Sequence, residues 1–171
     1  MNQTTSKPNR ILAIAPSARG FGYSVMEGQS ILECGNKRAD GDINLQAISK
    51  IEKLIKQFLP GVLVLQDVNA KGSHRAPRIK ALHRQIIKLA VKQKCKITLF
   101  SGEKLRIALL GDVKGTKHEM AEMLAQKYPV ELAAKLPPKR RAWESEDYRM
   151  DIFDAMALAV AFRLKKIKGA A

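Results

Sequence analysis

Residues 11–23 read ILAIAPSARGFGY and contain the first strand pattern, a turn and the start of a second strand pattern. Residues 11–15 are uniformly apolar and have the length of a strand, whereas residues 16–20 are rich in residues that break regular structure. A second strand pattern covers residues 21–26, and a third follows the turn at Gly28, over residues 31–35. Three short strands joined by tight turns predict an antiparallel meander.

The chain then alternates between helical and strand patterns. Over residues 42–59, apolar residues recur on one helical face after a capping residue, Asp42. The uniformly apolar run at residues 62–65 is typical of a strand buried on both faces. The elements predicted after the meander are a helix over 42–59, a strand over 62–65, a helix from Pro77, a strand over 97–100, and helices at about 103–110, 116–128 and from near Ser145. This order predicts an α/β fold, a mixed sheet flanked by helices.

A chain of 171 residues has the length of one domain, and its 46% hydrophobic and 27% charged residues are ordinary for a globular protein. We predict a flexible basic tail over residues 1–10 and a single domain over residues 11–168. Cys34 and Cys95 lie in apolar runs and are interpreted as free buried thiols.

The charge balance points to a polyanionic partner. Lys and Arg number 31 against 16 Asp and Glu, which gives a net charge of +15. Nucleic acid is the expected partner, because each neutralised phosphate releases condensed counterions. The sequence has no secretory signal and no apolar run of the roughly 18 to 20 residues that cross a bilayer. We therefore expect a cytoplasmic protein with no membrane partner.

Three stretches, in order, resemble one known family. They are the quoted residues 11–23, LVLQDV at 63–68 and DIFDAMALA at 151–159. The likeness is to RuvC-like Holliday junction resolvases of the ribonuclease-H-like superfamily, and it extends over about residues 10–163. It implies a five-stranded sheet, with three antiparallel strands followed by parallel ones. It also implies a magnesium-dependent endonuclease that acts as a homodimer in DNA recombination and repair.

The resemblance places two magnesium ions on four carboxylate positions, and two of these positions have changed. They correspond here to Ala15, Gln66, Asp151 and Asp154. Two divalent ions close together require dense negative charge and oxygen ligands. Alanine supplies no ligand, and glutamine supplies an oxygen without charge. We therefore expect magnesium binding to be weak or absent.

Two other acids are candidates to replace the missing ligands. Asp67 adjoins Gln66, but neighbouring strand residues point to opposite faces unless the strand ends or bulges there. Asp147 would lie on one helical face with Asp151 and Asp154, at spacings of four and seven residues. Asp147 is therefore a catalytic candidate beside Asp151 and Asp154, and Asp67 is a metal-ligand candidate with the same pair. Alternatively, Glu146 and Asp147 are acids favoured by the helix dipole.

Basic residues concentrate near the predicted site. Residues 68–102 contain no Asp or Glu, and a Gly-Ser segment with cations follows the fourth strand. Residues 139–141 either bind a nucleic-acid strand together with Trp143 or form a connector, with Trp143 packed in the core. The predicted nucleic-acid contacts are Arg19, Lys71, Arg75, Arg78, Lys114, Lys117, Lys139, Arg140 and Arg141.

Three functions are compatible with these patterns. The first is binding of nucleic acid, with branched or structured DNA favoured over RNA, by a domain whose metal centre is incomplete. The second is an active magnesium-dependent endonuclease in which Asp147 or Asp67 replaces the lost ligands. The third is a basic structural protein associated with RNA or the nucleoid.

Overall fold

A five-stranded mixed sheet forms the centre of the protein. The structure, a computed structural model, describes residues 7–170, with side chains described for residues 9–166. The strands are β1 Lys7–Pro16, β2 Gly20–Glu27, β3 Ser30–Arg38, β4 Pro60–Gln66 and β5 Lys96–Phe100. Their order is β3-β2-β1-β4-β5, with β1, β2 and β3 antiparallel and β4 and β5 parallel to β1. The predicted fold class is confirmed.

Helices cover both faces of this sheet. The helices α1 and α2 pack on one face, and α3, α4 and α6 pack on the other. Their bounds are α1 Ile43–Phe58, α2 Pro77–Lys92, α3 Gly102–Leu110, α4 Lys117–Lys127, α5 Pro129–Leu132 and α6 Met150–Ala170, with a 3-10 turn at Ala133–Lys135. No helix among residues 7–170 combines the length and the apolar character needed to cross a membrane.

Alternation along the strands divides the core into two layers. On β1, Leu12 and Ile14 face α1 and α2, whereas Ile11, Ala13 and Ala15 face α6. The middle of α6, residues 155–161, is at most 3% exposed at every position. A helix that is apolar on all sides belongs inside a protein, so α6 is the buried centre of its layer.

Several helix ends match the sequence. The Asp42 carboxylate accepts the Leu45 N–H at 3.1 Å, and Pro77 is the first residue of α2. The Thr116 hydroxyl accepts the Glu119 N–H at 3.1 Å, so α4 begins where the pattern predicts. These caps satisfy N–H groups that the first helical turn leaves free.

Three predictions need correction. The tail over residues 1–10 is too long, because β1 begins at Lys7; residues 1–6 lie outside the described part of the chain. The last helix begins at Met150 rather than near Ser145, because the Asp147 carboxylate accepts from the main chain and the side chain of Arg149 and holds a turn there. Cys34 is only half-buried, although Cys95 is buried.

The contact between β2 and α6 is the tightest constraint on where α6 begins. A Cβ built on Gly22 would lie 1.8 Å from the main-chain oxygen of Asp151. We predict that Gly22→Ala lowers the free energy of unfolding by about 2 kcal/mol, because helix and strand must separate. Urea unfolding measures the effect. Gly102→Ala is the control, since its Cβ meets the movable end of Arg106 at 3.3 Å; an equal loss in both variants would contradict this prediction.

Candidate nucleic-acid interface and acidic cavity

One edge of the sheet brings together acidic and basic side chains from several elements. The carboxyl ends of β1 and β4 lie there, with the N-terminal ends of α2, α4 and α6 beside them. This edge contains a cavity of about 330 Å³. The cavity is lined by Pro16, Ser17, Ala18, Arg19, Arg75, Ile79, Lys117, Ser145, Glu146, Asp147, Tyr148, Asp151 and Asp154.

Three carboxylates meet in this cavity. Glu146, Asp151 and Asp154 each bring an oxygen within 4.8 Å of the other two. The Ser17 hydroxyl, from the turn after β1, donates to Asp151 at 2.7 Å. The sequence predicted Asp151 and Asp154 at the site, whereas Glu146 was expected only as an acid favoured by the helix dipole. Glu146 joins the cluster because residues 145–149 form a loop rather than helix.

A lysine ammonium lies among these acids. Lys117, the first residue of α4, places Nζ 3.0 and 3.1 Å from the two Glu146 oxygens and 3.1 Å from Asp154 Oδ2. Desolvation lowers the pKa of Lys117, but the two carboxylates outweigh it and the net pKa is raised. Lys117 was predicted to contact phosphate; in the structure its ammonium binds the acids.

The carboxyl groups of the cavity differ in pKa. Desolvation raises the pKa of Asp154 to about 6, with repulsion from Glu146 and Asp151 adding to it and Lys117 opposing it. Desolvation also raises the pKa of Asp151, although the Ser17 hydrogen bond lowers it. By contrast, the hydrogen bonds of Arg149 lower the pKa of Asp147 to about 2. Asp147 therefore stays ionised and paired, while Asp154 gains a proton readily.

The two altered positions lie on the same face of the sheet. In the parallel pairing of β1 with β4, Ala13 is opposite Val64, and Ala15 and Gln66 come two residues later on each strand. Side chains two apart share a face, and Ala15 packs in the layer of α6. Ala15 and Gln66 therefore lie on the α6 side of the sheet, where neither supplies negative charge. Neither residue lines the acidic cavity, and Gln66 lines the smaller cavity that also contains Asp67.

The structure places neither substitute acid in the cluster. Asp67 accepts the Asn69 N–H at 3.0 Å and lines a small separate cavity with His83, at the start of the loop after β4. Asp147 lines the acidic cavity, but Arg149 holds its carboxylate at 2.8 Å, away from the group of three. Asp147 precedes α6, so the predicted helical face of three aspartates is wrong.

Apart from Lys117, the predicted phosphate contacts divide into two groups. Arg75 donates to the main-chain oxygen of Pro16, and Arg78 donates to that of Ser17 at 2.9 Å. Both arginines therefore hold the turn between β1 and β2. The exposed group consists of Arg19, Lys71, Lys114, Lys139, Arg140 and Arg141. Trp143 is 78% exposed, with the Arg141 guanidinium 5.7 Å from its ring centre, so the alternative that buries Trp143 in the core is wrong.

The three carboxylates of the cavity are consistent with binding of a divalent cation, and Lys117 competes for two of them. Carboxylate oxygens suit magnesium in kind, but two of the three acids already bind an ammonium within 3.1 Å. The neighbouring strand positions offer no anionic oxygen. The Lys117 ammonium therefore offsets part of the negative charge of the cluster.

Two solved structures share this arrangement of strands and helices over almost the whole chain. RuvC from Thermus thermophilus superposes with a TM-score of 0.69 at 14% identity, covering 94% of this chain and 96% of that one. The same RuvC in complex with a Holliday junction substrate gives 0.68 at 13% identity, with the same coverage. The chain has a RuvC-like, ribonuclease-H-like fold. No protein-family model matches the sequence, and no curated protein matches it significantly.

A viral nuclease structure also matches at lower similarity. It is the nuclease domain of the large terminase subunit gp2 of bacterial virus Sf6, with a TM-score of 0.45 at 15% identity. The match covers 92% of this chain and 69% of that one. At this TM-score it adds nothing to the RuvC-like fold.

The lysine in the acid cluster generates a direct prediction. We expect Lys117→Met to increase the affinity for Mn²⁺ at least about tenfold, since the acids lose their bound ammonium and regain unbalanced charge. Titration calorimetry with the metal alone measures this. Lys114→Met, at an exposed lysine in the loop before α4, should leave metal binding unchanged. Equal metal binding by Lys117→Met and the native chain would show that the ammonium is not what limits the cluster.

His83 of α2 supplies a prediction about pH. It is 2% exposed, and its Nε2 has no hydrogen-bond partner among the described residues. Desolvation, with repulsion from Arg75, lowers its pKa to about 4 from 6.5. The imidazole is thus neutral in the folded protein but takes up a proton in the unfolded chain.

Neutral His83 contributes fully to the free energy of unfolding above about pH 6.5, and this contribution falls as the pH drops towards 4. The loss is about 3 kcal/mol if the whole shift is realised. Urea unfolding between pH 7.5 and 4 should show a shallower decline for His83→Gln than for the native protein. His74→Gln, at an exposed histidine, is the control; parallel declines for all three proteins would refute this origin.

Proposed function

We propose that this chain binds structured or branched DNA through the edge of the sheet that carries the acidic cavity, and that it cleaves phosphodiesters weakly or not at all. The observation behind the proposal is the Lys117 ammonium, bound to Glu146 and Asp154 where a nuclease needs unbalanced anionic oxygen. The DNA is then held by the surrounding cations.

Charge and geometry support binding. The net charge is +15, and the exposed cations Arg19, Lys71 and Lys114 lie in the loops that follow β1, β4 and α3. The N-terminal ends of α2, α4 and α6 lie at the same edge, where the helix dipoles favour phosphate. A sugar-phosphate backbone that follows this edge can contact these three exposed cations.

The choice of branched DNA comes from the structural likeness. A RuvC of similar fold was solved with a Holliday junction, and this chain covers 96% of its length. We extend that ligand class to this protein, with DNA preferred over RNA. A homodimer, a role in recombination or repair and a cytoplasmic location belong to the same proposal.

A second candidate is a metal-dependent endonuclease. The presence of Glu146 in the cluster favours it, because Glu146, Asp151 and Asp154 together make three carboxylates within 4.8 Å. If bound DNA drew Lys117 towards a phosphate, those acids would be free for a cation. The other candidate ligands, Asp67 and Asp147, have less support, since each is held elsewhere.

The deciding experiment measures binding and cleavage together. Labelled four-way junction, duplex DNA and RNA of equal length are incubated with the protein, with magnesium or manganese. We expect the junction to bind most tightly and to stay intact. Metal-dependent cleavage abolished by Asp154→Asn would establish the endonuclease instead. Equal affinity for all three nucleic acids near physiological salt would favour the structural protein.

The binding edge makes a separate prediction about salt. The double variant Lys71→Ala with Lys114→Ala should flatten the plot of log affinity against log salt by about two units, since each lost phosphate contact removes about 0.9. Fluorescence anisotropy measures this slope. Lys92→Ala, at the exposed C-terminal end of α2 and the opposite edge, should change it little. A larger change for Lys92 would place the interface there.

A further inference from the structure

A second cavity adjoins the acidic one. It has a volume of about 510 Å³ and shares Arg19, Tyr148 and Asp151 with its neighbour. Residues 36–38, at the end of β3, complete its lining. Small-molecule sites commonly have volumes of about 300 to 1,000 Å³, so the space suffices for one bound group.

Tyr148 is an aromatic wall of this cavity. Its main-chain oxygen accepts from the Asn36 amide at 3.1 Å and from the Asp151 N–H at 3.2 Å, so its main chain is fixed between β3 and α6. The residue is nevertheless 56% exposed. A ring fixed at its base and open to water is suited to stack on a planar group.

The basic side chains that line this cavity favour binding of an anion beside the Tyr148 ring. Arg19 is exposed, and the Arg38 side chain is 80% exposed, with only a long 3.4 Å contact to Asp40. An exposed ion pair of this kind is weak, so Arg38 can turn to another partner. Lys37 is different, because its ammonium lies 5.5 Å from the Tyr23 ring, on the other face of the sheet. The anion of the lining, Asp151, already accepts from Ser17.

We propose that this second cavity holds one unpaired nucleotide, adjacent to the backbone that passes the acidic cavity. The inference rests on the proposed binding of DNA and deepens it. The base stacks on Tyr148, and its phosphate lies between Arg19 and Arg38. A base inside a duplex has both faces covered by its neighbours and cannot reach the ring. The cavity thus selects DNA with unpaired nucleotides at bulges or branch points.

The test compares two duplexes of the same sequence, one fully paired and one with a single extra unpaired nucleotide. Anisotropy titration near physiological salt should show that the native protein prefers the bulged duplex. Tyr148→Ala should lower affinity for the bulged duplex about tenfold, the loss expected for one stacked base. Tyr148→Phe keeps the ring and should retain the preference, and the loss of affinity in Tyr148→Ala should be greater for the bulged duplex than for the paired one. Circular dichroism and urea unfolding confirm that both variants fold.

Each outcome supports or overturns a specific proposal. Loss of the preference in Tyr148→Ala, with its rescue in Tyr148→Phe, supports the nucleotide site. A native protein that binds both duplexes equally overturns the nucleotide site and leaves the proposed function intact. The nucleotide site is likewise overturned if Tyr148→Ala weakens binding of both duplexes alike, because the ring is then a general contact. A native protein that binds neither duplex nor a four-way junction overturns both proposals.

Discussion

The ion pairs of Lys117 with Glu146 and Asp154 govern the whole candidate site. Three acids with oxygens within 4.8 Å repel one another, and either a cation or a proton on one of them relieves that repulsion. Here the cation is a side chain at the start of α4. It joins α4 to the loop before α6 and to α6 itself. The contacts that shape the cavity therefore also offset negative charge that would otherwise attract a metal ion.

The cations of the protein perform two distinct tasks. Arg75 and Arg78 come from a stretch without acids, which made them candidates for phosphate, yet both donate to main-chain oxygens of the turn after β1. That turn carries Ser17, whose hydroxyl binds Asp151. Lys71 and Lys114 have no such fixed position in the fold and remain exposed at the same edge. Net charge therefore overstates how many cations are available to DNA.

The position of the acids depends on close packing between β2 and α6. Gly22 has no side chain, which allows the main chain of Asp151 to approach β2. The buried middle of α6 then fixes the rotation of that helix, and with it the direction of Asp151 and Asp154. The neighbouring strand β3 holds the main chain of Tyr148, just before α6, through Asn36. The acidic cavity and its neighbour are thus parts of one arrangement around the start of a single helix.

The sequence alone determined the order of strands and helices, because apolar periodicity, caps and turn residues act locally. The pattern of residues 11–35 predicts β1, β2 and β3, and Asp42 and Pro77 correctly mark the starts of α1 and α2. It also identified Ala15 and Gln66 as positions without charge. Only the tertiary structure decided that Glu146 joins Asp151 and Asp154, that Lys117 binds them, and that Arg75 and Arg78 support a turn. Those contacts join residues far apart in sequence, and no local pattern encodes which cation meets which anion. The start of α6 was predicted too early for a related reason. The Asp147 carboxylate binds Arg149 and holds a turn, so Asp147 precedes the helix in which its spacing placed it.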